Sequence, residues 1–456
     1  MRCHAGTQSL AVVGFLTAGI TAVHALAYWS APYQPPEGAT TAWAVIVLYQ
    51  GAVVATAALF GSLGGRHKAT SGISQEQLLG GEVDGMLTVL AAISALGLLF
   101  HYFGKWPLLV EARSGCLGEL REIFLRFPRE KLTELERAAS KTGHLLSNFY
   151  APGLIMASAT LVSRGWGVRE VAWLVLFVMM AVLYAFPMVS RSVLLTMLWM
   201  VTCTSVAAGL TVRAQHRWLR SLGVAGVVAI VVIALSAVVF VTKIECIGPA
   251  LVEDNVDDFI PIRGQQSEEG ARGGDGRDGA TAREGAGMLW GKCAVCALML
   301  TYLNHGVWNL AKVVSTEESG SPVLFAFASY WAVRLGIGLS AGARGEEGKR
   351  VYGPGGLTLP GAAYHDFGWR GVVVAGMVVG ALLGLGLRLM RCPCWWWEGM
   401  AIFVLGGVVE GESLLFVAPG TLSFPFVAVS TLAWLVGMRA WRLRNTRGRV
   451  TGCDEE

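Results

Sequence analysis

VREVAWLVLFVMMAVLYAFPMVSRSVLLTMLWMVTCTSVAAGLTV, residues 168–212, decides the fold class of this chain. It holds two apolar runs, 168–189 and 192–212, joined at Ser190 and Arg191. Each is about 20 residues long, the length at which a helix rising 1.5 Å per residue crosses a bilayer. Outward from this pair the pattern recurs at 9–29, 41–64, 83–104, 219–242, 370–390, 395–417 and 420–438, with a shorter run at 149–163. Of the 456 residues, 54% are hydrophobic and only 15% are charged, against about 25% charged in a soluble domain. A soluble enzyme, a secreted disulfide scaffold and a nucleic-acid-binding domain are excluded. The expected fold is all-α, a polytopic transmembrane helical bundle of ten to twelve spans with large outer loops.

Lys and Arg in short loops set the orientation. With the N-terminus inside, the inner segments hold Arg2, Arg66, Lys68, Arg164, Arg169, Arg213, Arg217, Arg220, Arg388, Arg391 and the basic tail from Arg439 to Arg449. The short outer loops hold only Arg191. Both termini are therefore expected inside. The first run, preceded by Arg2 and ending in Ala25-Leu26-Ala27, reads as a span or as a signal peptide with an A-x-A cleavage site; the later topology is the same either way. The chain divides into an N-terminal membrane half (1–242), a large outer loop (243–369) and C-terminal membrane helices with a basic inner tail (370–456).

Two long segments fall outside. Residues 105–148 carry mixed charge in a helical pattern and read as a solvated or interface-lying pair of amphipathic helices. Within 243–369, the tract GQQSEEGARGGDGRDGATAREGAG (264–287) is too polar to bury a core and reads as a flexible connector. The apolar pieces 288–303 and 321–339 follow, each with one cation, Lys292 or Arg334, and read as short spans or as helices on the outer face. The nine cysteines lack the two-pair spacing of a zinc site. No Walker loop, HExxH or GxSxG motif occurs.

The remaining candidates are polar residues that a membrane normally excludes. Arg191 stands alone among the short outer loops and offers a rigid fork suited to phosphate oxygens, or it snorkels at the interface. The segment Tyr302-Leu303-Asn304-His305-Gly306-Val307-Trp308-Asn309 is a polar, aromatic break of the kind that stacks on sugar rings and bonds hydroxyls, or a capped loop. His365 and Asp366, in PGAAYHDFGWRG (360–371), can move a proton near neutral pH, although neighbours on a regular element point apart. Glu410 and Glu412 lie near the outer end of span 395–417, either water-facing or lining a polar cavity. Trp395, Trp396 and Trp397 read as an interfacial aromatic belt.

Taken together the layout resembles the Wzy-type polymerases, which join oligosaccharide repeat units such as those of O-antigen. Ser190-Arg191 stepping into SVLLTMLWM, the segment LTYLNHGVWNLAKVV, the stretch LPGAAYHDFGWRGVVVAGMVVGALLGL and the two long outer segments carry the likeness. It covers most of the chain as architecture but only about 40 residues as motif. The resemblance implies a GT-C-like membrane body in the bacterial cytoplasmic membrane, acting on its outer face. The enzyme would be a metal-independent glycosyltransferase with no cofactor. Donor and acceptor would be undecaprenyl-diphosphate-linked glycans, with a chain-length regulator and a flippase as protein partners and no nucleic acid. On this likeness Arg191 holds the leaving diphosphate, with Arg263 and Arg334 as further cations. His365 or Asp366 is the base for the acceptor hydroxyl. Tyr302, His305, Trp308, Asn309 and Tyr364 contact sugar. The tract 264–287 looks like an insertion in the family's loop, which loosens the place of Arg263. A lipid-glycan ligase shares most of this description. A polar-solute or lipid-oligosaccharide transporter is the reading from another class, though no internal repeat supports it.

Overall fold

The computed structural model describes residues 4–30, 37–62, 82–111, 132–186, 191–211, 223–232, 234–235, 294–316, 358–415 and 424–451. Among the described residues every regular element is helical. They are α1 (His4–Ser30), α2 (Ala39–Ser62), α3 (Glu82–Glu111), α4 (Glu134–Ser147), α5 (Tyr150–Arg164), α6 (Val168–Ala185), α7 (Arg191–Thr211), α8 (Gly223–Val232), α9 (Ala294–Thr316), α10 (Leu359–Leu389), α11 (Trp396–Glu412) and α12 (Phe424–Thr451). In hydrocarbon each backbone N–H and C=O must bond within the protein, and helices meet that demand segment by segment. Among the described residues five stretches are long and apolar enough to cross a membrane: Ala39–Ser62, Val83–Pro107, Glu134–Arg164, Val168–Ala185 and Leu359–Leu389. Shorter apolar helices lie at Val13–Trp29, Val193–Gly209, Gly223–Val232 and Phe424–Ala440. The chain is an all-α polytopic helical protein of the membrane.

Its contacts form two compact units that interleave in sequence. The first comprises Met1–Thr56, Ala234–Gly380 and Glu410–Ala418; the second comprises Ala57–Ile233, Ala381–Val409 and Pro419–Glu456.

In the second unit, small residues let α3 and α4 touch backbone to backbone. A Cβ on Gly97 would collide with the backbone of Ser147, one on Gly104 with that of Ser140, and one on Gly143 with that of His101. The pairing is antiparallel, and close approach of this kind is how membrane helices associate without a hydrophobic drive. Ser94 Oγ adds a 3.0 Å hydrogen bond to the Ser147 carbonyl. A capping box at Thr133 and Glu136 starts α4. Asn148 and Phe149 keep right-handed helical angles, so α4 runs almost directly into α5. The most apolar window of Glu134–Arg164 is 83% buried, against 33–44% for the other four candidate spans, so it is an interior helix rather than a lipid-facing one.

This corrects the reading of 105–148 at its two ends; residues 112–131 lie outside the described residues. Residues 105–111 continue α3, and 134–147 lie along α3 beside Gly97 and Gly104 instead of on an outer surface. The charge pattern of α4 reflects its N-terminal cap and exposed face, while Ala139, Gly143 and Ser147 form its buried stripe. At one end of this unit Asp84 Oδ2 meets Arg169 at 3.0 Å and Arg164 at 3.4 Å. The start of α3, the end of α5 and the start of α6 thus share one side, as the span parity requires. Trp396 and Trp397 are core residues, packed edge to face with each other and with Trp434. Only Trp395 suits the expected belt, exposed and with the Arg439 guanidinium 4.3 Å from its ring centre.

In the first unit, Gly376 and Gly380 of α10 come against the backbone carbonyls of Tyr49 and Val53 of α2, four residues apart on both helices. Two boundaries differ from the sequence reading. The stretch 360–371, expected as an approach to the span, is helical, and α10 starts at Leu359. Gly368, at φ 61° and ψ −153°, is a non-helical kink at which two helical stretches of α10 meet, in a conformation that side chains disfavour. The polar break after 303 is likewise absent: Leu303–Asn309 lie inside α9, where Asn304 finds its partner on a neighbouring helix.

Candidate functional site

The first unit gathers the polar segments singled out in the sequence. Helix α9 packs on α1 through two polar anchors. The Asn304 amide donates 3.0 Å to the Ala27 carbonyl, and His24 Nδ1 donates 2.9 Å to the Leu303 carbonyl. Both side chains are buried, and each takes a backbone oxygen from the opposite helix, which satisfies polar groups that hydrocarbon would penalise. Trp308 is buried with Tyr28, their ring centres 6.4 Å apart, and Tyr28 also meets the edge of Trp43 at 5.6 Å. Asn309 is buried and His305 half-buried.

Gly306 carries the junction to the next segment. A Cβ there would collide with the Leu414 carbonyl and press on the Thr358 methyl. Thr358 in turn caps the start of α10, its Oγ1 accepting 2.9 Å from Gly361 N, while Leu359 N donates 2.8 Å to the Ser413 carbonyl. The α9 segment, the start of α10 and the end of α11 therefore meet at Gly306, Thr358 and Ser413.

Two turns into α10, His365 Nδ1 lies 2.8 Å from Asp366 Oδ1, and the two side chains are 2% and 1% exposed. The expectation that these neighbours point apart does not hold, and the backbone leaves helical geometry two residues later, at Gly368. An ionised carboxylate only accepts, so in this bond Nδ1 is the donor. Tyr364 stands edge to face with Trp369 at 5.3 Å.

Glu410 and Glu412 are fully buried. Glu410 Oε2 accepts a 3.1 Å hydrogen bond from Tyr49, which lies at the middle of the membrane-length α2. Of the two expected positions, water-facing at an outer boundary or lining a polar cavity, the first does not hold: Glu410 is buried against Tyr49.

Of the other expected residues, Arg191 opens α7 in the second unit, which agrees with its expected step into a span. Tyr302 lies within α9. Arg263, Arg334, the tract 264–287 and the apolar piece 321–339 fall outside the described residues. Among the described residues no group of three or more His, Cys, Asp or Glu side chains could hold a metal ion.

The sequence reading missed a buried polar cluster in the second unit. Lys105 Nζ donates 3.1 Å to His101 Nε2, and the His101 and His144 rings stack with centres 6.0 Å apart. The Tyr184 hydroxyl meets His144 Nδ1 at 2.8 Å and accepts 3.1 Å from the Asn148 amide. The spacing of His101 and Lys105, one helical turn apart inside an apolar run, was the available signal.

No protein-family model, curated protein or solved structure matches the chain.

Proposed function

We propose that this protein is a membrane glycosyltransferase that polymerises oligosaccharide repeat units carried on undecaprenyl diphosphate. It would work on the outer face of a bacterial cytoplasmic membrane, with both termini inside. The observation that carries this reading is the buried His365–Asp366 pair, 2.8 Å apart and in the same unit as the α9 segment bearing His305, Trp308 and Asn309.

In this mechanism Asp366 fixes the His365 tautomer, and Nε2 removes the proton from the acceptor sugar hydroxyl. The resulting oxygen bonds to the anomeric carbon of the donor chain as that carbon's bond to the diphosphate breaks. The diphosphate leaves with the electron pair, and the family likeness assigns its charge to Arg191, Arg263 and Arg334. Tyr302, His305, Trp308, Asn309 and Tyr364 would seat the sugars.

Deleting the gene and running lipid-linked and surface glycans on a gel tests the reading. A ladder that collapses to single repeats supports polymerisation. Long lipid-linked chains that never reach their final acceptor point to a ligase, and an unchanged ladder overturns both. In the deletion strain, Arg191→Lys keeps the charge but loses the two-pronged fork, so it should restore far less polymer than wild type; equal polymer would remove Arg191 from the diphosphate role.

A second reading, a polar-solute or lipid-oligosaccharide transporter, draws support from one observation. Glu410 is a buried carboxyl opposite the middle of α2, and ionisable groups at that depth often mark transport pathways. Solute uptake or glycan flipping lost in the deletion strain, with chain lengths unchanged, would favour it.

A further inference from the structure

The glycan reading gives Glu410 no task, yet its carboxyl lies fully buried in the first unit. Its side chain is 0% exposed. One carboxyl oxygen, Oε2, accepts from Tyr49, while the other, Oε1, makes no hydrogen bond. Gln50, 7% exposed, reaches the same carboxyl with an amide that makes no hydrogen bond of good geometry. The Ser413 hydroxyl reaches Tyr49 in the same loose way. Loosely bonded oxygens from three side chains thus gather at one buried place on the central turns of α2 and the end of α11.

A buried carboxylate with no cation beside it among the described residues is costly in a medium that cannot solvate it. One small positive charge relieves that cost.

We propose that Glu410, Tyr49 and Gln50 form an intramembrane site for a single monovalent cation taken from water, with Ser413 as an additional oxygen. The shared chemistry is one positive charge on hard oxygen ligands, and it has two sources. A proton would bond Oε1 and be shared with the Gln50 carbonyl. A sodium ion would draw Oε1, the Gln50 carbonyl and the two hydroxyl oxygens together. In both cases the Tyr49 hydroxyl keeps its bond to Oε2. The site is independent of the glycan reading, since no step of the transfer passes through it.

Dicyclohexylcarbodiimide tests the site on the full-length protein in membranes. The reagent takes the proton of a carboxyl onto one of its nitrogens while the carboxyl oxygen bonds its central carbon, and the adduct is found by peptide mass mapping. Labelling is compared in sodium chloride and in choline chloride at equal ionic strength. The expected result is an adduct on Glu410. Equal labelling in the two salts identifies the proton as occupant, and labelling in choline that sodium suppresses identifies the sodium ion. Glu410→Gln should lose the adduct; should that variant fail to reach the membrane, the mapped wild-type peptide locates the label without it. Glu410 unlabelled in both salts overturns the proposal. No glycan is read in this test, so its failure leaves the polymerase reading where it stood.

Discussion

Among the described residues the two units differ in the polar groups they bury and in how many of the bonds are local. In the first, the buried ionisable groups include the acids Glu410 and Glu412, and the polar bonds join helices far apart in sequence: His24 with Leu303, Asn304 with Ala27, Tyr49 with Glu410. In the second, the buried ionisable groups include His101 and Lys105, and the polar bonds run between successive helices, as Tyr184 with His144 and Ser94 with Ser147, as well as between distant ones, as Ser430 with Asn148 and Arg391 with Gly61. The second unit thus adds close contacts of successive helices, made at glycines, to its long-range bonds. The polar bonds named for the first unit are all long-range. In membrane proteins, where the hydrophobic effect does not drive helices together, such polar and small-residue contacts define the packing.

The comparison breaks most visibly if hydroxyl activation is not confined to the first unit. His365→Ala should lower polymer formation by about 100-fold to 10,000-fold, the usual worth of a positioned general base, read as repeat-unit incorporation in membranes. Lys105→Met in the second unit should leave incorporation near wild type. Comparable losses in both would erase the distinction.

The α3–α4 contact of the second unit is tested next. Gly143→Val puts a side chain into the backbone of His101 and should cost about 1–3 kcal/mol by overpacking. Unfolding in detergent followed by circular dichroism checks this, and unchanged stability would show that α3 and α4 do not touch as described. A smaller effect is expected at a distant polar anchor of the first unit. Asn304→Leu loses the bond to Ala27 and should cost about 0.6 kcal/mol, rising to about 1.7 kcal/mol at most, by analogy with interhelical bonds in membranes. The same unfolding measurement applies. The smallest effect belongs to the polar tract: removing a dozen residues from 264–287 should leave polymer formation unchanged, and lost activity with normal membrane content would show that the tract does more than connect.

The sequence announced the helices because each span must satisfy its own backbone and present apolar side chains, and both demands are written locally. Span 192–212 appears as Arg191–Thr211, and 41–64 as Ala39–Ser62. Local reading went astray where a distant partner changed the meaning of a residue. Asn304 looked like a break because its acceptor, Ala27, lies 277 residues earlier. Glu410 looked like a boundary residue because Tyr49 is 361 residues away. Trp396 and Trp397 looked interfacial because Trp434 lies on another helix. At the candidate site, the order of Thr358, His365, Asp366 and Gly368 along one helix was legible, but the pairing of His365 with Asp366 was not. It depends on side-chain rotamers beside a glycine whose backbone angles no neighbouring residue announces.

The most direct test returns to the His365–Asp366 pair. A strain lacking the gene is complemented with wild type or with His365→Ala, each checked for equal amounts in the membrane, and the lengths of its lipid-linked glycans are measured. The account predicts a full ladder with wild type and single repeat units with His365→Ala. A full ladder from His365→Ala would contradict it.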